Sequence, residues 1–96
     1  MDNLYDMILE DGRIEYYKIK IRVKKDGKPK YYVYNFVNIN NAAKFICDFL
    51  DSFNYIAEYD EVLSELELAD QFVFHEERFN EEIQIKCSLY LKNFEG

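Results

Sequence analysis

Alternation is the clearest signal in the chain. From Arg13 to Lys25, Tyr17, Ile19, Ile21 and Val23 point one way while Lys18, Lys20, Arg22 and Lys24 point the other, the period of two expected of a half-buried strand. Asp26-Gly27 follows as a hairpin turn signal, and Lys30 to Ile39, dense in Tyr, Val and Phe, predicts a second strand. Two registers are open. A two-residue turn sets Ile21 opposite Tyr32 and Ile19 opposite Tyr34, which makes Tyr32, Tyr34 and Phe36 core residues. A three-residue loop with Gly27 in a bulge sets Lys20 opposite Tyr32, and the rings then line a basic, aromatic face.

After this hairpin the period lengthens. Asn38 to Asn41 offer N-cap side chains, and Ala42, Phe45, Ile46, Phe49, Leu50 and Phe53 keep a 3.6-residue stripe with Lys44, Asp48 and Asp51 outside it. A break at Ser52-Phe53-Asn54 precedes a second helical pattern on Tyr59, Val62, Leu63, Leu66 and Ala69. Gln71 to Asn80 reads either way, because Phe72-Val73-Phe74 suits a strand and His75-Glu76-Glu77-Arg78 suits a helix. Ile83, Ile85, Cys87, Leu89 and Leu91 then alternate with polar neighbours and predict a strand that joins the sheet. At the other end, Leu4, Met7 and Ile8 suit a short N-terminal helix closed by Asp11-Gly12, with a strand as the alternative. The predicted fold is α+β: a small antiparallel sheet with helices packed on one face, in a single compact domain over residues 1–96.

Composition narrows the function classes. Seventeen Tyr and Phe residues with one Pro and three Gly exclude a disordered chain. A chain of 96 residues buries only roughly two thirds of its unfolded surface, which weighs against a deep large-cofactor site, and no cofactor is expected. Cys47 and Cys87 are forty residues apart with His75 as the sole imidazole, so no zinc site of sulfur and imidazole can be assembled; no metal is expected, and both cysteines read as reduced core thiols. The first residues lack the basic start and apolar run of a signal peptide, and no stretch reaches membrane-spanning length, so a cytoplasmic protein is expected. Catalytic constellations fail: there is no Thr or Trp, a single His serves three Ser, and no Gly-rich phosphate loop exists. An enzyme is not expected.

Charge changes the picture most. The net charge is −7, which argues against nonspecific nucleic-acid binding by the whole molecule and for a cationic protein partner. Splitting the chain after Asn41 gives eight basic and six acidic residues before the cut, and four basic and thirteen acidic after it. From Asp48 to Glu82 twelve carboxylates face one arginine, Arg78. Such a tract repels itself: Glu61 and Glu65, four apart on a helix, cost about 0.2–0.5 kcal/mol as a like-charge pair. It reads as a solvated face or as a surface imitating a run of phosphates, which Arg and Lys of a nucleic-acid-binding protein would grip through bidentate pairs. The basic stripe Lys18, Lys20, Arg22 beside Tyr32 and Tyr34 has its own reading as a single-stranded RNA face.

Ile21-Arg22-Val23-Lys24-Lys25-Asp26-Gly27, Tyr32-Val33, Lys44-Phe45-Ile46 with Phe49, and Glu58-Tyr59-Asp60-Glu61, together with Asn3-Leu4 and Ile8, stand in an order and at spacings that resemble the small acidic anti-CRISPR proteins that inhibit type II-A Cas9 by mimicking DNA. The resemblance spans about residues 2–65; Pro29 and the longer tail from Phe72 depart from it. It implies a short opening helix, a hairpin with an Asp-Gly turn and two helices with an acidic junction. It further implies that Asp26, Glu58, Asp60 and Glu61 contact the target, in the cleft where Cas9 reads the duplex motif beside its target sequence. Glu65 extends the same acidic surface. The expected function is therefore a non-enzymatic inhibitor of a nucleic-acid-processing enzyme, with a Cas9-type effector as partner. The alternatives are an immunity protein against a basic toxin nuclease and an RNA-binding module using the basic hairpin.

Overall fold

The computed structural model describes residues 13–93; the expected N-terminal helix lies outside them. The described chain is α+β, in the order β1 (Arg13–Lys25), β2 (Lys28–Phe36), α1 (Ile39–Ser52), α2 (Tyr59–Ala69), β3 (Gln71–Arg78) and β4 (Glu81–Asn93). The four strands form one antiparallel sheet in the order β2-β1-β4-β3.

The hairpin register is decided by backbone conformation at two residues. Asp26 and Gly27 both have positive φ, 51° and 78°, the combination that a two-residue type I′ turn requires and that matches the twist of its strands. Ile21 consequently pairs with Tyr32 and Ile19 with Tyr34. Tyr32, Tyr34 and Phe36 face the helices, where Tyr34 and Phe36 lie 4.6 and 5.3 Å from the Phe45 ring and Tyr32 lies 6.4 Å from Phe49. They form the margin of the core rather than its centre, because β2 is an edge strand and α1 covers it only in part. The RNA face expected from Tyr32 and Tyr34 beside the lysines is thereby corrected: rings and lysines are on opposite sides of the sheet.

β2 ends at Phe36, not Ile39. The Asn38 side chain accepts hydrogen bonds from the backbone N–H of Asn40 (2.8 Å) and Asn41 (3.1 Å) and starts α1 there. Between the helices, Asn54 turns through φ 63°, at the break the sequence marks. The ambiguous stretch 71–80 is strand β3 and its turn. Asp70, left-handed at φ 56°, ends α2, and its carbonyl accepts from the Leu89 N–H at 3.0 Å, which delivers the chain straight onto β4.

Both helices pack on one face of the sheet. Ile19, Ile21 and Val23 of β1 and Ile83, Ile85 and Cys87 of β4 meet Ile46 and Leu50 of α1 and Val62 and Leu66 of α2, all buried in one cluster. β1 and β4 occupy the centre of the sheet, which is why their alternation is strongest: a central strand covered by helices must place every second residue in the core. No polar or charged residue is buried among the described residues. One buried polar atom, the Tyr55 hydroxyl, has no hydrogen-bond partner.

Two outcomes follow for stability. Ile85→Ala, at the sheet centre, is expected to lower it by about 2–5 kcal/mol in denaturant titration. Tyr55→Phe removes a desolvated hydroxyl and keeps the ring contact with Phe74, so it is expected to raise stability by about 1 kcal/mol or leave it unchanged.

Candidate functional site

The helical layer carries the acidic surface. From Ile39 to Asp70 there are eight carboxylates and one cation, Lys44, and Lys44 is taken by Asp48 at 3.4 Å. The five residues expected at a partner interface, Asp26, Glu58, Asp60, Glu61 and Glu65, are all exposed, and none has an ion pair among the described residues.

α2 explains how four of them are held together. Glu58 is its N-cap residue without a side-chain cap bond, and Asp60 and Glu61 occupy the first turn, where the helix dipole favours negative charge by about 0.3–1 kcal/mol each. This offsets the repulsion between Glu61 and Glu65. Leu68, seven residues after Glu61, shares their helical face and is 88% exposed, and Ile56, just before the helix, is 95% exposed. The surface is therefore a set of unneutralised carboxylates with apolar contacts at both ends.

Asp26 stands elsewhere. Its backbone N–H donates to the Asn80 carbonyl at 3.0 Å, which ties the β1–β2 turn to the β3–β4 turn, whereas α2 packs on α1 and β3. The structure thus groups Glu58, Asp60, Glu61 and Glu65 on one helix and puts Asp26 on a turn of the sheet.

The acidic run of the sequence also divides. Glu76, Glu77, Glu81 and Glu82 belong to β3 and β4, not to the helical surface. Glu81 lies 3.7 Å from Lys25, and Glu82 3.1 Å from Arg22. Arg78, the one arginine of that run, is held by the chain itself: it donates to the carbonyls of Phe53 (3.0 Å) and Asn54 (2.8 Å), and its guanidinium sits 3.7 Å from the Tyr55 ring centroid. It fixes the α1–α2 connection against β3 instead of neutralising α2.

A ladder of titratable groups that sequence spacing did not reveal runs over the other face of the sheet. His75 Nε2 is 2.7 Å from Glu82 and 3.8 Å from Glu77, and the ligand atoms of His75, Glu77 and Glu82 lie within 4.8 Å of one another. These three side chains are the ones able to hold a metal ion among the described residues, yet Glu82 already accepts from both His75 and Arg22, the arrangement of a salt-bridge ladder. Cross-strand pairing creates it, since Glu77 is opposite Glu82 and His75 opposite Gln84. Neither thiol is disposed to react: burial pushes Cys87 up to about 12 and also raises Cys47, and both are free. Among the described residues no helix is long and apolar enough to cross a membrane.

The His75 hydrogen bond, and then the Arg22 charge, hold the Glu82 carboxyl below its ordinary value of 4.5. A depressed carboxylate contributes stability that is complete above the unfolded pKa and is lost as pH falls through the folded one. Acid unfolding followed by circular dichroism below about pH 4.5 is expected to be shallower for Glu82→Gln than for the parent protein. Compared with protein-family models, with curated proteins and with solved structures, the chain matches none.

Proposed function

We propose that this protein is a non-enzymatic inhibitor that binds the cationic nucleic-acid cleft of a processing enzyme through the face of α2. One observation carries the reading: Glu58, Asp60, Glu61 and Glu65 are exposed on one short helix and none is paired with a cation among the described residues. Like charges left together and unneutralised form a negative surface complementary to an arginine-rich partner. Carboxylates on successive turns stand about 5–6 Å apart, and each can take a guanidinium bidentately. Exposed Ile56 and Leu68 supply the desolvated contacts that charge pairs alone lack.

The resemblance of residues 2–65 to Cas9-inhibiting DNA mimics names a Cas9-type effector as the partner to test first. Asp26 enters this reading as a second contact on a separate turn. A basic toxin nuclease would fit the same acidic helix, so the assay includes both targets.

In a DNA-binding competition with Cas9–guide complex, the protein is expected to block target DNA, and raised salt is expected to weaken the block. Asp60→Lys with Glu61→Lys is expected to reduce inhibition by about tenfold or more, whereas Lys20→Glu leaves it unchanged. DNA binding that persists at saturating protein rules out this target; equal effects of the two substitutions rule out the acidic helix as the binding surface.

A further inference from the structure

The sheet face turned away from the helices has a chemistry of its own. One cross-strand row runs Val33, Lys20, Lys86, Val73 over all four strands, and the next runs Tyr31, Arg22, Gln84, His75. Lys20 and Lys86 are direct register partners, both exposed, and neither has an ion pair among the described residues. Like charges directly opposite each other are destabilising, so the fold retains a repulsion at the middle of its open face. Val33 and Val73, each 56% exposed, and Tyr31, 70% exposed, flank this pair in an open trough of about 540 Å³.

The cations continue along β1. Lys18, Lys20, Arg22 and Lys24 share the face at two-residue intervals, about 6.8 Å per step, a spacing comparable to that of successive phosphates in an unstacked strand. Aromatic rings lie beside the row and beyond its Lys18 end. Tyr31 is the register partner of Arg22. Beyond Lys18, Tyr16 and Tyr90 stack at 5.7 Å between centroids, with the Lys18 Nζ 4.8 Å from the Tyr90 ring.

We propose that this open face docks single-stranded nucleic acid, with phosphates along Lys18, Lys20 and Lys86 and bases stacked on Tyr31 and on the Tyr16–Tyr90 pair. Alternating cations and exposed rings on a sheet suit bases that are free to stack, and offer little to a duplex whose bases are already stacked. The net negative charge of the chain does not oppose this, because the unpaired carboxylates of the helical layer lie on the other side of the sheet, and those on the open face, Glu77 and Glu82, stand at its Lys24 end against His75 and Arg22. One layer of packed structure is about 10 Å thick, beyond the roughly 8 Å screening length at physiological salt. The proposal is independent of the acidic helix, so either can fail alone.

The test is fluorescence anisotropy of labelled twelve-nucleotide oligothymidylate and oligouridylate with the full chain, at about 50 and 200 mM salt. Saturable binding that weakens with salt is expected for at least one of them. Lys86→Glu turns the repulsive pair into an attractive one, so its melting temperature is expected to hold or rise while affinity falls about tenfold. Loss of binding in that variant cannot come from unfolding. Tyr31→Ala is expected to weaken binding about fivefold or more, and Asp60→Lys with Glu61→Lys is expected not to weaken it. The proposal is overturned by no anisotropy change at either salt, by unaltered affinity of Lys86→Glu, or by a blunt duplex or heparin competing as well as the strand. Concentration-dependent self-association in sedimentation without oligonucleotide binding also overturns it, and assigns the face to the acidic helix of a second copy.

Discussion

Two left-handed residues, Asp26 and Gly27, hold the strand register on which the rest of the molecule depends. Side chains in a strand alternate with a period of two, so a slip of one residue would exchange the two faces of β2 against β1. With the turn as it is, Ile19 and Ile21 stand beside Tyr34 and Tyr32 under the helices, and Lys20 and Arg22 stand beside Val33 and Tyr31 on the open side. The same parity passes through β4, where Lys20 meets Lys86 and Ile21 meets Ile85, and on to β3. The turn sorts β1 and β2 in this way, and the pairings of β4 and β3 continue the same parity, with an apolar layer under the helices and an open layer that carries Lys18, Lys20, Arg22, Lys24 and Lys86 together with Glu77 and Glu82.

This sorting separates charge as well as hydrophobicity. The helices that cover the apolar side, with their flanking residues from Ile39 to Asp70, carry eight carboxylates and a single lysine, while the cations Lys18, Lys20, Arg22 and Lys24 of β1 gather on the uncovered side. The interactions between sheet and loops reinforce the division. Arg78 is held by the carbonyls of Phe53 and Asn54, and Lys25 lies 5.3 Å from the Phe53 ring, so cations close to the helical layer are engaged at the turns and α2 keeps its charge. On the sheet, Glu81 and Glu82 are matched to Lys25 and Arg22, which leaves Lys20 and Lys86 as the unmatched charges at the centre of the trough.

Much of the fold was legible because its signals are local. β1 follows from the alternation that runs from Tyr17 to Lys24, and both helices follow from their 3.6-residue stripes. The end of β2 was not legible, because Ile39 fits a strand as well as a helix until the Asn38 cap is seen to form. Residues 71–78 were undecided for a related reason: Phe72 becomes apolar core, and His75 a ladder member, only through partners on β4. At the candidate site, the sequence singled out Glu58, Asp60, Glu61 and Glu65 as one acidic patch, and α2 places them together. It placed Asp26 apart from them in the hairpin turn, but could not separate them from Glu76 to Glu82, since charge counted along the chain carries no information about which face of which layer it reaches.

What the sequence by itself determined is the α+β class, the alternating strands, the two helices and an excess of carboxylates in the second half, all properties of residues within one or two turns of each other. Only the tertiary structure decided that β4 returns from the far end of the chain to pair with β1, from Arg13 with Asn93 to Lys25 with Glu81. That pairing makes Lys20 and Lys86 neighbours, builds the His75–Glu82–Arg22 ladder and leaves one face of the sheet without a helix over it among the described residues. The physical reason is that the β1–β2 register follows from a local turn, whereas β1 and β4 are distant segments joined by no turn, and their register is fixed by the burial of a shared core.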